Sequence, residues 1–340
     1  MSQPLVSVVM SVHNEERYLA EAIESVLRQE YADLELIIVD DYSSDGSMDI
    51  ARSFADKRIR IHVKSDEPRY LAASRNLGIA LALGKYVTFQ DADDTCSPSR
   101  IARQLERAML NPNRRVVGCS VLRVKHGQGR AVVLPERHEQ IVAGFGRCWN
   151  RTTIVCGTLL GPREVFQAVP YRPSFRYMQD WDQILRLAES GRVNFQNCPE
   201  VLYTYFIRPK GVLSDPTWVD YNILVRHCQQ RRRRGLGEFL TPQELWEYLG
   251  RHPLERLRWT TLKRLILWRN RRRPKRSPSP ISAGHRTSPS APVASITPMA
   301  GTSSGTLTKV HEGRVGHFPI SMPSIHVGSN ARLECRVTSE

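Results

Sequence analysis

Three aspartates follow a short apolar segment at a spacing that suits metal or phosphate chemistry. They are Asp91, Asp93 and Asp94, and the preceding residues 86–89 are β-branched or aromatic, which predicts a buried strand. Carboxylates this close repel one another unless a positive charge lies between them. Mg²⁺ or Mn²⁺ bound to a phosphate would supply that charge, since both cations prefer carboxylate oxygens and leave positions open for a substrate. The alternative is that the acids cap the helix predicted at 99–110 and face solvent, which is our interpretation of Asp94.

An alternation of strands and helices would position these acids. Buried strands are predicted at 5–12, 34–39, 59–63 and 86–90, and the helices between them begin at Asn14 as N-cap, at 48 and at 71. This alternation predicts parallel strands joined by right-handed crossovers, which is a doubly wound α/β sheet. Ligands of such sheets bind beyond the carboxyl ends of the strands. We therefore expect three polar strand ends to converge on one edge: Ser11 to Asn14, Asp40 with Asp41, and Asp91 to Asp94.

Two common nucleotide-binding motifs are absent from the sequence. The first strand–helix turn lacks Gly-x-Gly-x-x-Gly, and no Gly-Lys-Ser or Gly-Lys-Thr phosphate loop occurs anywhere. A nucleotide would then have to be held by side chains and a metal ion, which argues against NAD-dependent enzymes and phosphate-loop ATPases.

A further carboxylate, Asp180, opens a helix about 90 residues after the acidic segment. The helix is predicted from about 177 to Gly191, and a carboxylate in its first turn is favoured by the helix dipole, so a simple capping role is the alternative. Upstream, the apolar, glycine-punctuated segment 153–161 is predicted to be a strand that lines the cleft. Three more strands complete this region, at 115–124, 131–134 and 201–206.

Five sequence motifs, in order, resemble the family 2 glycosyltransferases of the GT-A fold over roughly residues 5–210. The motifs are VVMSVHNE at 8–15, IIVDDYSSD at 37–45, RNLGIA at 75–80, FQDADD at 89–94 and QDWD at 179–182. The resemblance implies a Rossmann-like, mostly parallel sheet with flanking helices, and an inverting, metal-dependent transfer of a sugar from a nucleotide-diphospho-sugar to a hydroxyl acceptor.

The resemblance also implies a role for each candidate residue. Ser11 and Asn14 would border the nucleotide pocket, and Asp41, or else Asp40, would accept the uracil N3–H of a UDP-sugar. Arg75, or else Arg69, would contact the nucleotide, and Asp180 would be the general base. Asp93 would ligate Mn²⁺ or Mg²⁺, and Asp91 would contact the ribose or the outer metal shell, or serve as a second ligand. The diphosphate or the acceptor would be contacted by Trp181, Arg208 and Lys210.

Three departures from the family pattern bear on these roles. Gln179 stands where the family usually has Glu, and Tyr42 replaces the common Gly after Asp41. The Tyr-Arg-x-His pattern is matched only loosely by residues 205–210, so Arg208 and Lys210 are expected to substitute for it.

The net charge of +15 is concentrated in one segment. Residues 226–276 carry sixteen Lys and Arg against four Asp and Glu, whereas the first 225 residues are nearly neutral and lack the basic face of a nucleic-acid-binding protein. The seven cysteines have no paired spacing, which favours a reducing compartment. With no signal peptide or membrane span recognisable, we expect a cytoplasmic protein.

The sequence predicts three regions: a catalytic domain at 1–215, a basic helical extension at 216–276, and a disordered Ser- and Pro-rich tail at 277–340. In the helix predicted at 253–269, one apolar side is expected to combine Leu254, Leu257, Leu262, Leu265, Ile266 and Trp268, with Trp259 beside it and arginines between. Such a helix, continued by the basic residues 271–276, suits an anionic membrane surface on the cytoplasmic face. The alternative is that it packs on the catalytic domain.

The sequence therefore favours a glycosyltransferase that acts in the synthesis of a polysaccharide, a lipid-linked oligosaccharide or another cell-envelope glycan. A nucleotidyltransferase of related architecture is an alternative, but segment 11–16 lacks the glycine-rich loop of that class. A non-catalytic GT-A-like binding module, anchored by its basic helices, is the other alternative.

Overall fold

A sheet of nine strands organises the computed structural model, which describes residues 3–65, 68–145, 153–208 and 215–271. The strand order is β3-β2-β1-β4-β8-β6-β9-β5, with β7 paired to β6. The strands are β1 Val6–Val12, β2 Leu34–Asp40, β3 Ile59–Val63, β4 Tyr86–Phe89, β5 Thr95–Cys96, β6 Arg115–Lys125, β7 Gln128–Val132, β8 Leu160–Pro162 and β9 Asn194–Phe206.

Strands β1 to β4 are parallel, as the alternation of elements predicts. Every residue of β2 and β4 is buried, because helices cover both faces of a parallel sheet and only apolar runs are stable there. In the register, Val12 lies opposite Asp40 and Val9 lies opposite Phe89. The carboxyl ends of these strands therefore lie side by side, as the predicted α/β sheet requires.

The second half of the sheet is mixed. Strand β8 runs antiparallel to both β4 and β6, whereas β6 and β9 are parallel to each other. The predicted strand at 153–161 is wrong in extent: residues Cys156–Thr158 form a 3₁₀ turn, and only 160–162 are strand. Gly157 lies so close to the acidic segment that an added Cβ would be 2.7 Å from Asp91 Oδ2, so a side chain is not accommodated at this position.

Ten helices flank the sheet within the described residues. They are α1 Leu19–Leu27, α2 Ser47–Ser53, α3 Leu71–Leu81, α4 Arg100–Met109, α5 His138–Ala143, α6 Arg163–Ala168, α7 Gln179–Glu189, α8 Trp218–Arg232, α9 Pro242–Gly250 and α10 Pro253–Arg271. The prediction that Asn14 caps the first helix is wrong, since α1 begins at Leu19 and Asn14 adopts a left-handed backbone conformation with φ of 58°.

Helix α8 completes the main hydrophobic core. Its buried residues Trp218, Ile223 and Leu224 belong to the same cluster as Phe89 of β4 and Phe166 of α6. The basic helical segment thus begins with a helix that is part of the core, and the boundary at 215 stays a prediction.

The apolar residues of α10 do not form one side, contrary to the sequence prediction. Trp259 and Ile266 are buried, whereas Leu254, Leu257 and Leu265 are exposed. No helix in the described ranges has the length and apolar character needed to cross a membrane. The tail at 277–340 lies outside the described residues.

Candidate active site

The end of β2 provides two aspartates with different surroundings. Asp40 Oδ1 accepts a hydrogen bond from the backbone N–H of Ser43 (3.1 Å), so Asp40 shapes the turn that follows the strand. Asp41 accepts from the Lys64 ammonium (2.8 Å) and from the backbone N–H of Tyr70 (2.8 Å). The Lys64 side chain is completely buried, so it holds the Asp41 carboxylate in one place. Sequence reasoning missed Lys64, because a lysine after an edge strand is usually solvated.

The residue after Asp41 is a tyrosine in a backbone conformation that favours glycine. Tyr42 has φ of 63°, and the Arg69 guanidinium lies 4.4 Å from the centroid of its ring. The Lys64 ammonium lies 5.6 Å from the same centroid. The substitution of the common glycine therefore keeps the backbone turn and adds a flat aromatic surface covered by a cation.

The end of β1 is joined to the end of β2 by side-chain hydrogen bonds. Asn14 Oδ1 accepts from the Ser44 N–H (2.8 Å), and the Asn14 N–H donates to Ser43 Oγ (3.1 Å). The Ser11 hydroxyl is buried and has no hydrogen-bond partner within the described part of the chain. Ser11 and Asn14 thus lie at the strand end where the sequence places them.

A buried arginine orients the first of the three clustered aspartates. Arg75 of α3 donates to Asp91 Oδ1 (2.7 Å), and the Asp91 N–H donates to the Tyr203 hydroxyl (3.2 Å). The second Arg75 nitrogen lies 3.5 Å from Cys156 Sγ. The Asp91 side chain stays 31% exposed although Arg75 holds one of its oxygens.

The second aspartate carries negative charge that its surroundings compensate only in part. Burial and the neighbouring Asp91 raise the pKa of Asp93 to about 6, although the Arg208 charge opposes the rise. Arg208 donates to the Asp93 carbonyl (2.7 Å) and its Nε lies 3.8 Å from Asp93 Oδ2. The guanidinium also lies 3.6 Å from the Tyr18 ring centroid, which fixes its position beside the acids.

Glu15 is a further acid at this edge that sequence reasoning missed. Burial, followed by the charge of Asp93, raises the pKa of Glu15 to about 7. Its place three residues after β1, in the first motif, was the available signal.

Asp94 is not the helix cap that the sequence predicts. Its side chain is fully buried and its Oδ1 accepts from the Phe206 N–H (2.8 Å), whereas Ser99 stands at the N-cap of α4. Burial, with Asp91 and Asp93 nearby, raises its pKa to about 9, so the carboxyl is neutral at pH 7. Asp94 therefore links the acidic segment to β9.

A divalent cation fits the charges at this edge. The Asp93 side chain is 29% exposed, and burial together with neighbouring carboxylates raises the pKa values of Asp93 and Glu15. No group of three or more His, Cys, Asp or Glu within the described ranges is arranged to enclose a metal. The residues thus suit a cation held by one or two carboxylates whose remaining ligands are water and substrate phosphate.

Asp180 approaches the same arginine from the other part of the chain. Helix α7 follows Met178, which has φ of 60°, and Asp180 Oδ1 accepts from the Trp181 N–H (2.8 Å) in the first turn. Burial raises the pKa of Asp180, while the Arg75 charge lowers it and the Asp91 charge raises it. Trp181 packs edge-on against Phe145 with ring centroids 5.1 Å apart.

A second basic residue that sequence reasoning missed, Arg100 of α4, holds the end of β4 in place. It is fully buried and donates to Thr88 Oγ1 (2.9 Å), to the Phe89 carbonyl (2.8 Å) and to the Gly157 carbonyl (3.0 Å). It thus joins the strand before the acids to the turn at Gly157. A buried arginine has no local sequence signal, since most arginines at the start of a helix are exposed.

One buried acid of α7 belongs to a different environment. Asp182 Oδ2 lies 2.8 Å from Arg186 Nε and 3.6 Å from Arg172 Nε, and Oδ1 lies 3.8 Å from Arg232 of α8. We call Asp182 and these three arginines the Asp182 cluster.

Lys210 and residues 272–276 lie outside the described residues.

Comparison with known proteins identifies the family. Residues 7–169 match the family described as Glycosyl transferase family 2. EpsE of Bacillus subtilis, a putative glycosyltransferase, is 36% identical over 254 residues, which cover 70% of this chain and 87% of EpsE.

Two solved structures share the fold. TarS residues 1–349 from S. aureus, in complex with UDP-GlcNAc, match with a TM-score of 0.52 at 16% identity, over 65% of each chain. The mannosyltransferase PcManGT from Pyrobaculum calidifontis, in complex with GDP-Man and Mn²⁺, matches with a TM-score of 0.52 at 16% identity, over 70% of this chain and 66% of PcManGT. The match thus spans just under two thirds of each solved chain, and at this identity it establishes the fold alone. Taken with the identity to EpsE over most of its length, these findings show that the chain is a glycosyltransferase and belongs to glycosyltransferase family 2.

Proposed function

We propose that the chain transfers a sugar from a nucleotide-diphospho-sugar, preferably a UDP-sugar, to a hydroxyl group with inversion at the anomeric carbon. One observation carries this proposal. Arg75 donates to Asp91 and its charge also acts on Asp180, so carboxylates about 90 residues apart in sequence share one buried arginine. This arrangement would place a base opposite the acids that face the leaving group.

Asp180 is the proposed general base. The bond between the anomeric carbon and the diphosphate oxygen breaks while a bond from that carbon to the acceptor oxygen forms, and the acceptor proton moves to the Asp180 carboxylate. The nucleoside diphosphate leaves with the electron pair of the broken bond. Because one base serves one attacking hydroxyl, the attack comes from the face opposite the leaving group and the configuration inverts.

Asp93, with Asp91, would hold Mn²⁺ or Mg²⁺, which when bound neutralises charge on the leaving diphosphate. Arg208 lies beside these acids and would contact the diphosphate, while Trp181 lies next to Asp180 and would contact the acceptor. The related folds of TarS and PcManGT are solved with a UDP-sugar and a GDP-sugar respectively, so the fold accommodates either base. Our preference for uracil rests on Asp41, whose carboxylate could accept its N3–H.

The roles of Ser11, Asn14, Asp40 and Arg69 as nucleotide contacts are part of the same proposal. The acceptor is proposed to be a glycan or a lipid-linked saccharide of the cell envelope, reached from the cytoplasmic membrane face.

Replacement of Asp180 tests the proposal without knowledge of the acceptor. Release of UDP or GDP from a panel of nucleotide sugars can be measured with Mn²⁺ and with water as the attacking hydroxyl. We expect Asp180→Asn to lower that rate by about 10²- to 10⁴-fold, the usual contribution of a general base, while the affinity for the donor stays within a few-fold. The exposed Asp49→Asn serves as the control and should react like the unmodified protein. A normal rate in Asp180→Asn would remove Asp180 from the base role.

A further inference from the structure

Helix α10 has two apolar faces, one buried in the core and one exposed. Trp259 and Ile266 point into the core, while Leu254, Leu257, Leu265 and Trp268 are 84, 67, 46 and 49% exposed. The exposed four follow one another at spacings of three, eight and three residues, which places them on a single stripe of a helix. We call these four residues the outer stripe.

Polar contacts on the inner face fix which way the helix is turned. Glu255 Oε2 lies 3.2 Å from His227 Nε2 of α8, and Lys263 Nζ lies 2.6 Å from Asp220 Oδ1 of the same helix. The two contacts are eight residues apart on α10, on the same side as buried Trp259. Rotation of the outer stripe toward the core would break both contacts and expose that tryptophan, so the stripe is held outward.

The charges that α10 itself carries on either side of the outer stripe are positive. Arg258 and Arg264 flank it and are exposed. The only acid among residues 253–276, Glu255, faces inward to His227, whereas the same segment contains ten Lys and Arg. The outer stripe is therefore an apolar strip within a cationic surface.

We propose that the outer stripe of α10 docks on an anionic lipid bilayer, with its leucines in the interface and Arg258 and Arg264 at the headgroups. A second copy of the chain is a poorer occupant, because pairing two such faces would bring the arginines together. The chain's own residues 277–340 carry five basic and three acidic residues and so offer no complementary charge. A bilayer with anionic headgroups complements both the apolar strip and the charge. This inference deepens the proposed function by naming the surface that would bring the enzyme to its acceptor.

Vesicle flotation of the full chain tests the proposal in the absence of any donor, so its outcome is independent of sugar transfer. The unmodified chain should float with phosphatidylcholine vesicles that also contain phosphatidylglycerol, and much less with phosphatidylcholine alone. The triple variant Leu254→Ser, Leu257→Ser, Leu265→Ser should bind about tenfold more weakly or worse, because apolar contact area drives interfacial binding. The matched control Leu83→Ser, Leu110→Ser, Val133→Ser removes equally exposed apolar groups outside α10 and should float like the unmodified chain.

Four outcomes would overturn the proposal. They are equal flotation of the leucine variant and the unmodified chain, absence of flotation of the unmodified chain, equal loss in the matched control, and a dimer in sedimentation velocity that the leucine variant dissociates. A second variant distinguishes binding to a bilayer from binding to a purely charged ligand such as nucleic acid. The double variant Arg258→Gln, Arg264→Gln should float less, and its flotation should depend less on salt. If this variant loses binding while the leucine variant keeps it, the outer stripe does not dock on the bilayer.

Discussion

Two sites of this protein differ in how the charge of their aspartates is compensated. At the open edge of the sheet, Arg75 pairs with Asp91 and Arg208 lies beside Asp93, and burial with the Asp91 charge raises the pKa of Asp93 to about 6. In the Asp182 cluster one buried carboxylate lies among three arginines, two of which also pair with Glu238. The carboxylates at the sheet edge keep negative charge that a cation could compensate, whereas Asp182 is already surrounded by cations. The comparison separates acids that hold the fold from acids that are available for a ligand.

The largest effect is expected on activity from the loss of an acid at the sheet edge. Asp93→Asn should lower nucleotide release by about 10³-fold or more, because cation-based charge stabilisation contributes several kcal/mol. The unfolding temperature should stay the same or rise, since repulsion from Asp91 is removed. Rates from the panel of nucleotide sugars and a thermal melt with and without Mn²⁺ measure both.

Asp94→Asn is the matched control for this experiment. Its carboxyl is already neutral at pH 7, since its pKa is raised to about 9 by burial, so activity should be nearly unchanged. Equal losses of activity in Asp93→Asn and Asp94→Asn would show that the effect is not specific to the Asp93 carboxylate.

The Asp182 cluster should show the opposite pattern. Asp182→Asn removes the carboxylate that pairs with Arg186, whereas Arg172 and Arg232 keep Glu238. Removal of one partner of a buried ion pair costs about 3–5 kcal/mol of unfolding free energy. Urea denaturation of this variant and of Asp49→Asn, whose side chain is exposed, measures the difference. If Asp182→Asn loses no more unfolding free energy than Asp49→Asn, Asp182 does not stabilise the fold in the way proposed.

His227 is a buried titratable residue that lies outside both the acidic edge of the sheet and the Asp182 cluster. Its Nε2 lies 3.2 Å from Glu255, and its Nδ1 has no partner within the described residues, so a second proton would be buried without an acceptor. Burial, with the nearby arginines and despite Glu255, lowers its pKa from 6.5 to about 4. The folded protein thus favours the neutral ring, which stabilises the fold above pH 6.5 and stabilises it less as the pH falls toward 4.

Because the pKa of His227 falls from 6.5 to about 4, its neutral ring should contribute up to about 3 kcal/mol to the free energy of unfolding at neutral pH. Denaturation of the unmodified chain and of His227→Gln between pH 7 and 4 measures it, and the unmodified chain should lose more stability than the variant. Parallel curves for the two would show that His227 does not titrate in this way.

The parts of the fold that sequence patterns predict are those set by local burial. Strands β1, β2 and β4 are mostly apolar and buried, so their positions follow from the pattern, and the alternating strand β3 matches its prediction at 59–63. The close approach of Gly157 to Asp91 could not be predicted, because the two residues are far apart in sequence. Lys64 and Arg100 were missed for a related reason: a long polar side chain signals exposure, and only tertiary contacts reveal that it is buried and bonded.

Helix α10 shows a limit of a different kind. Both of its apolar faces are present in the sequence at helical spacing, and the sequence prediction merged them into one side. Which face turns inward is decided by Asp220 and His227 on another helix, so the division is a property of the pair of helices.

The position of α8 in the main core has a consequence for how the chain is made. Phe89 and Phe166 emerge from the ribosome well before Trp218, Ile223 and Leu224, which complete their cluster. Until α8 follows, the nascent catalytic half must keep an apolar face open, and exposed faces of this kind are where chains aggregate or recruit chaperones. A chain shortened near residue 215 would lack α8 and would keep that apolar face open.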